Sequence, residues 1–148
     1  MKELDKIVGG EIDIFASSQQ EHLERPEIGS VSAGFPSPAA DHLDLKIDLN
    51  THIIKHPSAT FFGRVKGDSM QDAGIEDGDL LVIDRSLEPS EDKIAVCFVD
   101  GEFTIKRLHL SPEGIWLVPA NENYKPLLCT QDNDLRIWGI VSYVIKAF

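Results

Sequence analysis

From about Thr60 onward, apolar residues come in short runs broken by turn formers, with no sustained helical period. This pattern predicts strands over Thr60 to Lys66, Leu80 to Asp84, Lys93 to Val99, Glu102 to Leu110, Ile115 to Pro119 and Leu135 to Lys146. Turns are expected at Glu76-Asp77-Gly78-Asp79 and Ser111-Pro112-Glu113-Gly114. Asp100-Gly101, between two β-rich runs, is the clearest hairpin signal, because a two-residue type I′ turn needs positive φ at both central residues. The fold class read from this pattern is mostly β, with short antiparallel strands.

The first 33 residues read differently. Lys2, Lys6 and Arg25 stand against Glu3, Asp5, Glu11, Asp13, Glu21, Glu24 and Glu27, and large apolar side chains are few. Such a segment buries too little surface to fold alone. The expected organisation is therefore an acidic arm over 1–33, with Ile12, Ile14 and Phe15 available to dock, followed by a β-rich body over 34–148. A chain of 148 residues suits one core and a tail.

A net charge of -11 argues against direct binding of nucleic acid, since phosphate contacts rest on Lys and Arg. Contact with DNA is expected only through partners. No run approaches the roughly 20 apolar residues of a membrane span, and no signal-peptide pattern opens the chain, so a cytoplasmic protein without membrane contact is expected. Cys97 and Cys129 are read as reduced thiols, Cys97 as a small core residue.

Alternation along Glu102 to Leu110 puts Phe103 and Ile105 on one face, and Thr104, Lys106 and Leu108 on the other. Lys106 then lies between Thr104 and an apolar neighbour, where partial desolvation favours its neutral form. A neutral lysine accepts a proton from a serine hydroxyl, and Gly67-Asp68-Ser69-Met70 offers one. Taken alone, both features have ordinary readings, a solvated strand lysine and a turn serine.

Six segments change that balance: Phe35-Pro36-Ser37-Pro38-Ala39-Ala40-Asp41, His56-Pro57-Ser58-Ala59-Thr60, Gly67-Asp68-Ser69-Met70, Gly74-Ile75, Asp77-Gly78-Asp79-Leu80-Leu81 and Asp100-Gly101-Glu102-Phe103-Thr104-Ile105-Lys106. In this order and spacing they closely resemble the UmuD proteins, of the self-cleaving peptidase family that also contains the LexA repressors. The resemblance runs from about Gly34 to the C-terminus. It implies a compact domain of strongly bent antiparallel strands, Ser69 as nucleophile, Lys106 as general base, and Ala33-Gly34 as the scissile pair. It also implies cleavage stimulated by a RecA filament in the SOS response, and a shortened product that joins a Y-family polymerase (UmuC) in translesion synthesis. Pairing of two copies through the C-terminal region belongs to the same expectation, and no cofactor or metal does.

Elementary chemistry fits these assignments. Alanine suits a shallow S1 site, and glycine lets the backbone approach the nucleophile closely. The backbone N–H groups of Asp68 and Ser69 are the expected oxyanion donors. The arm departs from the familiar UmuD pattern: its scissile pair is Ala-Gly, as in the repressors, and it shows no clear sliding-clamp motif.

Three other readings compete. A LexA-type repressor needs a helix-turn-helix ahead of the body, which an acidic arm does not supply. A type I signal peptidase shares Ser69-Met70 and Lys106-Arg107 but needs a membrane anchor. A non-catalytic β dimerisation module is the third.

Overall fold

The computed structural model describes residues 6–16, 24–27 and 45–148. The Ala33-Gly34 pair lies outside them. Among the described residues eleven strands form, numbered in chain order: β1 (Lys6–Gly9), β2 (Ile12–Ala16), β3 (Glu24–Glu27), β4 (Leu45–Asp48), β5 (Thr60–Val65), β6 (Leu80–Asp84), β7 (Ile94–Val99), β8 (Glu102–Ser111), β9 (Gly114–Val118), β10 (Leu127–Cys129) and β11 (Leu135–Ile145). Nine of them make one sheet in the order β1-β2-β5-β6-β11-β7-β8-β9-β10, while β3 and β4 pair separately. A short helix α1 (Leu49–Ile53) follows β4, its first turn capped by Asp48, whose Oδ1 accepts the Asn50 N–H at 3.0 Å.

The six strands expected from the apolar runs all form, each within a residue or so of its expected ends. At the β7–β8 hairpin, Asp100 has φ 48 and Gly101 φ 89, the positive values that the turn signal required. All pairings in both sheets are antiparallel.

β11 holds the large sheet together. Its first half pairs with β7 and its second half with β6, and the register shifts once in each ladder, between Ile137 and Gly139 and between Val141 and Tyr143. Such extra residues bend and twist a strand. At the first shift the Trp138 carbonyl accepts from Arg85 Nε at 2.9 Å, and the Arg85 guanidinium lies 4.5 Å from the Trp138 ring centroid.

Alternation sorts the core into two clusters. Ile105, Phe103 and Val96 pack with Ile12, Ile14, Val65, Met70, Ile75, Leu81 and Ile83. Leu108, Ala95, Cys97, Leu117, Cys129 and Ile140 form the other.

The docking of the N-terminal segment is fuller than its composition suggests. β2 pairs with β5 over five residues, and Ile12 and Ile14 are 0% and 1% exposed. Burying each contributes about 1.5–3 kcal/mol, enough to order a segment that cannot fold alone. Gly63 on β5 makes the room: a Cβ there would lie 2.2 Å from Ile12 Cδ1.

Candidate functional site

Ser69 sits in the turn that follows β5. Gly67 opens this turn at φ +88, and its N–H donates to Asp77 Oδ1 at 2.8 Å. The carbonyls of Asp68 and Ser69 are both held from the opposite side, by Asn121 Nδ2 at 2.9 Å and the Ala120 N–H at 2.8 Å. Met70, only 2% exposed, anchors the turn in the core. The Asp68 carboxylate is engaged elsewhere: the Tyr124 hydroxyl donates to its Oδ1 at 2.6 Å, and that bond raises the tyrosine's pKa. Among the described residues, the N–H groups of Asp68 and Ser69 donate to no acceptor.

The Asp77 turn is fixed in its own right. Lys146, just after β11, reaches Glu76 Oε2 at 2.8 Å and Asp79 Oδ2 at 2.6 Å. Burial works to raise the Asp79 carboxyl's pKa, but the bonds from Lys146 and the Glu76 N–H prevail and hold it below its ordinary value.

Lys106 is placed by the alternation of β8. Opposite it on β7 is Ala95, and Cys97 lies opposite Thr104, so its flank on this face of the sheet is apolar. The side chain is nearly buried, at 11% exposure. Its Nζ donates to Ser69 Oγ at 3.0 Å, Thr104 Oγ1 at 2.7 Å and the Ile105 carbonyl at 3.0 Å. Burial, followed by nearby Cys129, pushes the Cys97 thiol up to about 12, so it is a neutral wall of the site.

Sequence reasoning missed one residue here. Glu11, in the turn between β1 and β2, places Oε2 at 2.6 Å from Ser69 Oγ and Oε1 at 2.8 Å from Lys106 Nζ. Thr104 Oγ1 donates to the same Oε1 at 2.9 Å. The backbone seats this turn: the Glu11 N–H donates to the Phe103 carbonyl at 3.0 Å, and the Glu11 carbonyl accepts the Lys66 N–H at 2.7 Å. Gly10 has φ +65, and a Cβ on it would lie 2.0 Å from the Phe103 oxygen. A Gly-Gly pair between Ile7-Val8 and Ile12 was the available hairpin signal. Beside the site opens a cleft of ≈ 370 Å³, bounded by Phe103, Leu117, Tyr124, Lys125 and Leu127.

A serine hydroxyl and a shielded lysine amine in hydrogen-bond contact make a unit capable of acyl transfer once the lysine is neutral. Among the described residues no group of His, Cys, Asp and Glu side chains is arranged to hold a metal ion, and no helix is long and apolar enough to cross a membrane.

The model of one peptidase family, Peptidase S24-like, matches residues 26–142, and the chain belongs to that family. Within it, the chain is 42% identical to Protein MucA of Salmonella typhimurium over 135 residues, covering 89% of this chain and 92% of MucA. It is 46% identical to Protein SamA of Salmonella typhimurium strain LT2 over 113 residues, or 76% of this chain and 78% of SamA. A LexA repressor of Shewanella woodyi is 35% identical over 133 residues, 87% of this chain but 64% of the repressor. These relatives bear out the UmuD-type resemblance drawn from the motifs.

Proposed function

We propose that the protein is a self-cleaving serine peptidase that cuts its own Ala33-Gly34 bond. The observation that carries this reading is the 3.0 Å contact between Ser69 Oγ and a nearly buried Lys106 Nζ, in a chain of this family. Neutral Lys106 takes the Ser69 proton as Oγ attacks the Ala33 carbonyl carbon. The oxyanion forms against the N–H groups of Asp68 and Ser69. Collapse breaks the bond to Gly34, whose nitrogen leaves with the proton carried by Lys106. Water then attacks the Ala33 ester and gives one proton to Lys106. That proton returns to Ser69 Oγ as the ester opens, releasing the carboxyl terminus of the 1–33 fragment.

Purified full-length protein incubated alone at alkaline pH is expected to yield a fragment starting at Gly34, seen by intact-mass measurement. A stable full-length mass at every pH would refute the reading. Adding the Ser69→Ala form as a second substrate reports whether one copy cuts another.

The partners proposed follow the family: a RecA nucleoprotein filament as stimulator in the SOS response, and a Y-family polymerase (UmuC type) as recipient of residues 34–148. A homodimer belongs to the same proposal. Tyr143, Val144, Ile145 and Phe148 are 37%, 39%, 41% and 116% exposed at the end of β11, an apolar group better covered than wet. Sedimentation at micromolar concentration is expected to show a dimer, which Val144→Glu with Ile145→Lys converts to monomer. A wild-type monomer in that experiment would count against it.

A further inference from the structure

Ser69 Oγ has a carboxylate in hydrogen-bond contact. A carbonyl carbon must come within about 3–3.5 Å of the attacking oxygen. The Glu11 carboxylate already lies there, with Oε2 2.6 Å from Oγ. Its other oxygen pairs with the amine that has to lose a proton, at 2.8 Å. Both contacts oppose the reaction: one lies where the acyl group has to come, and the other engages the amine that has to receive the serine proton.

We propose that Glu11 is a positioning residue acting against cleavage, a resident competitor of the scissile segment that engages both Ser69 and Lys106 until the β1–β2 turn withdraws. This rests on the peptidase reading above and adds its control. Docking is built for the task by observations independent of the carboxylate. The Phe103 carbonyl accepts the Glu11 N–H, Gly10 permits an approach that no Cβ allows, and buried Ile12 anchors the next strand. The cleft beside the site stays lined by Phe103, Leu117 and Leu127, ready for an extended segment once the turn leaves.

The other ionisable groups around Lys106 do not duplicate Glu11. Cys97 on β7 is a neutral thiol, and Tyr124 donates to Asp68. Lys125 and Glu102 border the cleft, but among the described residues Glu11 is the one carboxylate bonded to Lys106. Stimulation of cleavage then requires no catalytic group from a partner. Prising the turn from Phe103 unblocks Ser69 and removes the counter-charge in one movement.

The test uses the full chain as Glu11→Gln, Glu11→Ala and Gly10→Ala, each also in a Ser69→Ala background. Appearance of the Gly34 product is followed from about pH 6 to 10, with circular dichroism to confirm the fold. Loss of one charge-assisted contact is expected to raise the rate near pH 7.5 by roughly 10- to 100-fold. Gly10→Ala, which touches no reacting group, is expected to act in the same direction. In the Ser69→Ala background, acetylation of Lys106 by acetic anhydride, read by mass spectrometry, is expected to quicken when Glu11 is changed. Slower cleavage in folded Glu11→Gln overturns the inference and would make Glu11 a participant in the reaction. Unchanged acetylation overturns it whatever cleavage does. Faster acetylation with no cleavage in any form upholds the hold of Glu11 on Lys106 and refutes the peptidase reading alone.

Discussion

Ser69→Ala and Lys106→Ala are each expected to abolish cleavage at Gly34, a loss of at least about a thousandfold, while the body keeps its fold. In the proposed mechanism the two side chains act as one unit, so the double variant should be little worse than either single one. Ser69→Ala removes a small, buried hydroxyl whose oxygen sits among polar neighbours, and leaves Met70 in its core site. Lys106→Ala is the harsher change, because Glu11 and Thr104 lose their hydrogen-bond partner at the edge of an apolar cluster. Lys106→Met keeps the length without the charge and is the better control for folding. Product appearance by mass, alongside a thermal melt, checks both. Full-rate cleavage by Lys106→Met would remove the lysine from the mechanism.

The second large effect is on pH. Only a neutral amine accepts the serine proton, so in the proposed mechanism the cleavage rate is expected to climb as the solution turns alkaline. The site helps to identify what titrates. The Cys97 thiol is pushed up to about 12, and the Tyr124 hydroxyl is moved above its ordinary value by its bond to Asp68, so neither supplies the rise. A Cys97→Ala variant should therefore keep the same profile. A flat or falling rate in protein that remains folded would rule out a lysine base.

Much of this arrangement was legible along the chain because it depends on local rules. The two faces of β8 follow from strict alternation, which alone separates Phe103 and Ile105 from Lys106 and Leu108. The Asp100-Gly101 hairpin follows from the φ values that few residues adopt. The serine turn came from resemblance rather than from propensity, since Gly-Asp-Ser alone marks only a turn. β10 escaped notice because Leu127–Cys129 is three residues long and shows no period. β2 was hidden by its acidic surroundings: pairing with β5 and the space left by Gly63 make it a strand, and neither is a property of residues 12–16 themselves. Glu11 was the hardest to foresee. It stands 58 positions from Ser69 and 95 from Lys106, and along the chain only the preceding Gly9-Gly10 pair sets it apart from the other acidic residues of the arm.

The place of β11 bears on when the proposed dyad comes together. The strand ladder has two wings: β1, β2, β5 and β6, bordering the turn that carries Ser69, and β7 to β10, with Lys106 on β8. Among the described strands only β11 is paired to both, and Lys146 just beyond it braces the turn behind Gly67. On a ribosome, residues 135–146 emerge after everything they join. A chain that ends before β11 holds Ser69, Lys106 and the Ala33-Gly34 pair, yet lacks the strand that pairs with both wings. In the proposed peptidase, the order of synthesis therefore delays the meeting of Ser69 and Lys106 until β11 has been made.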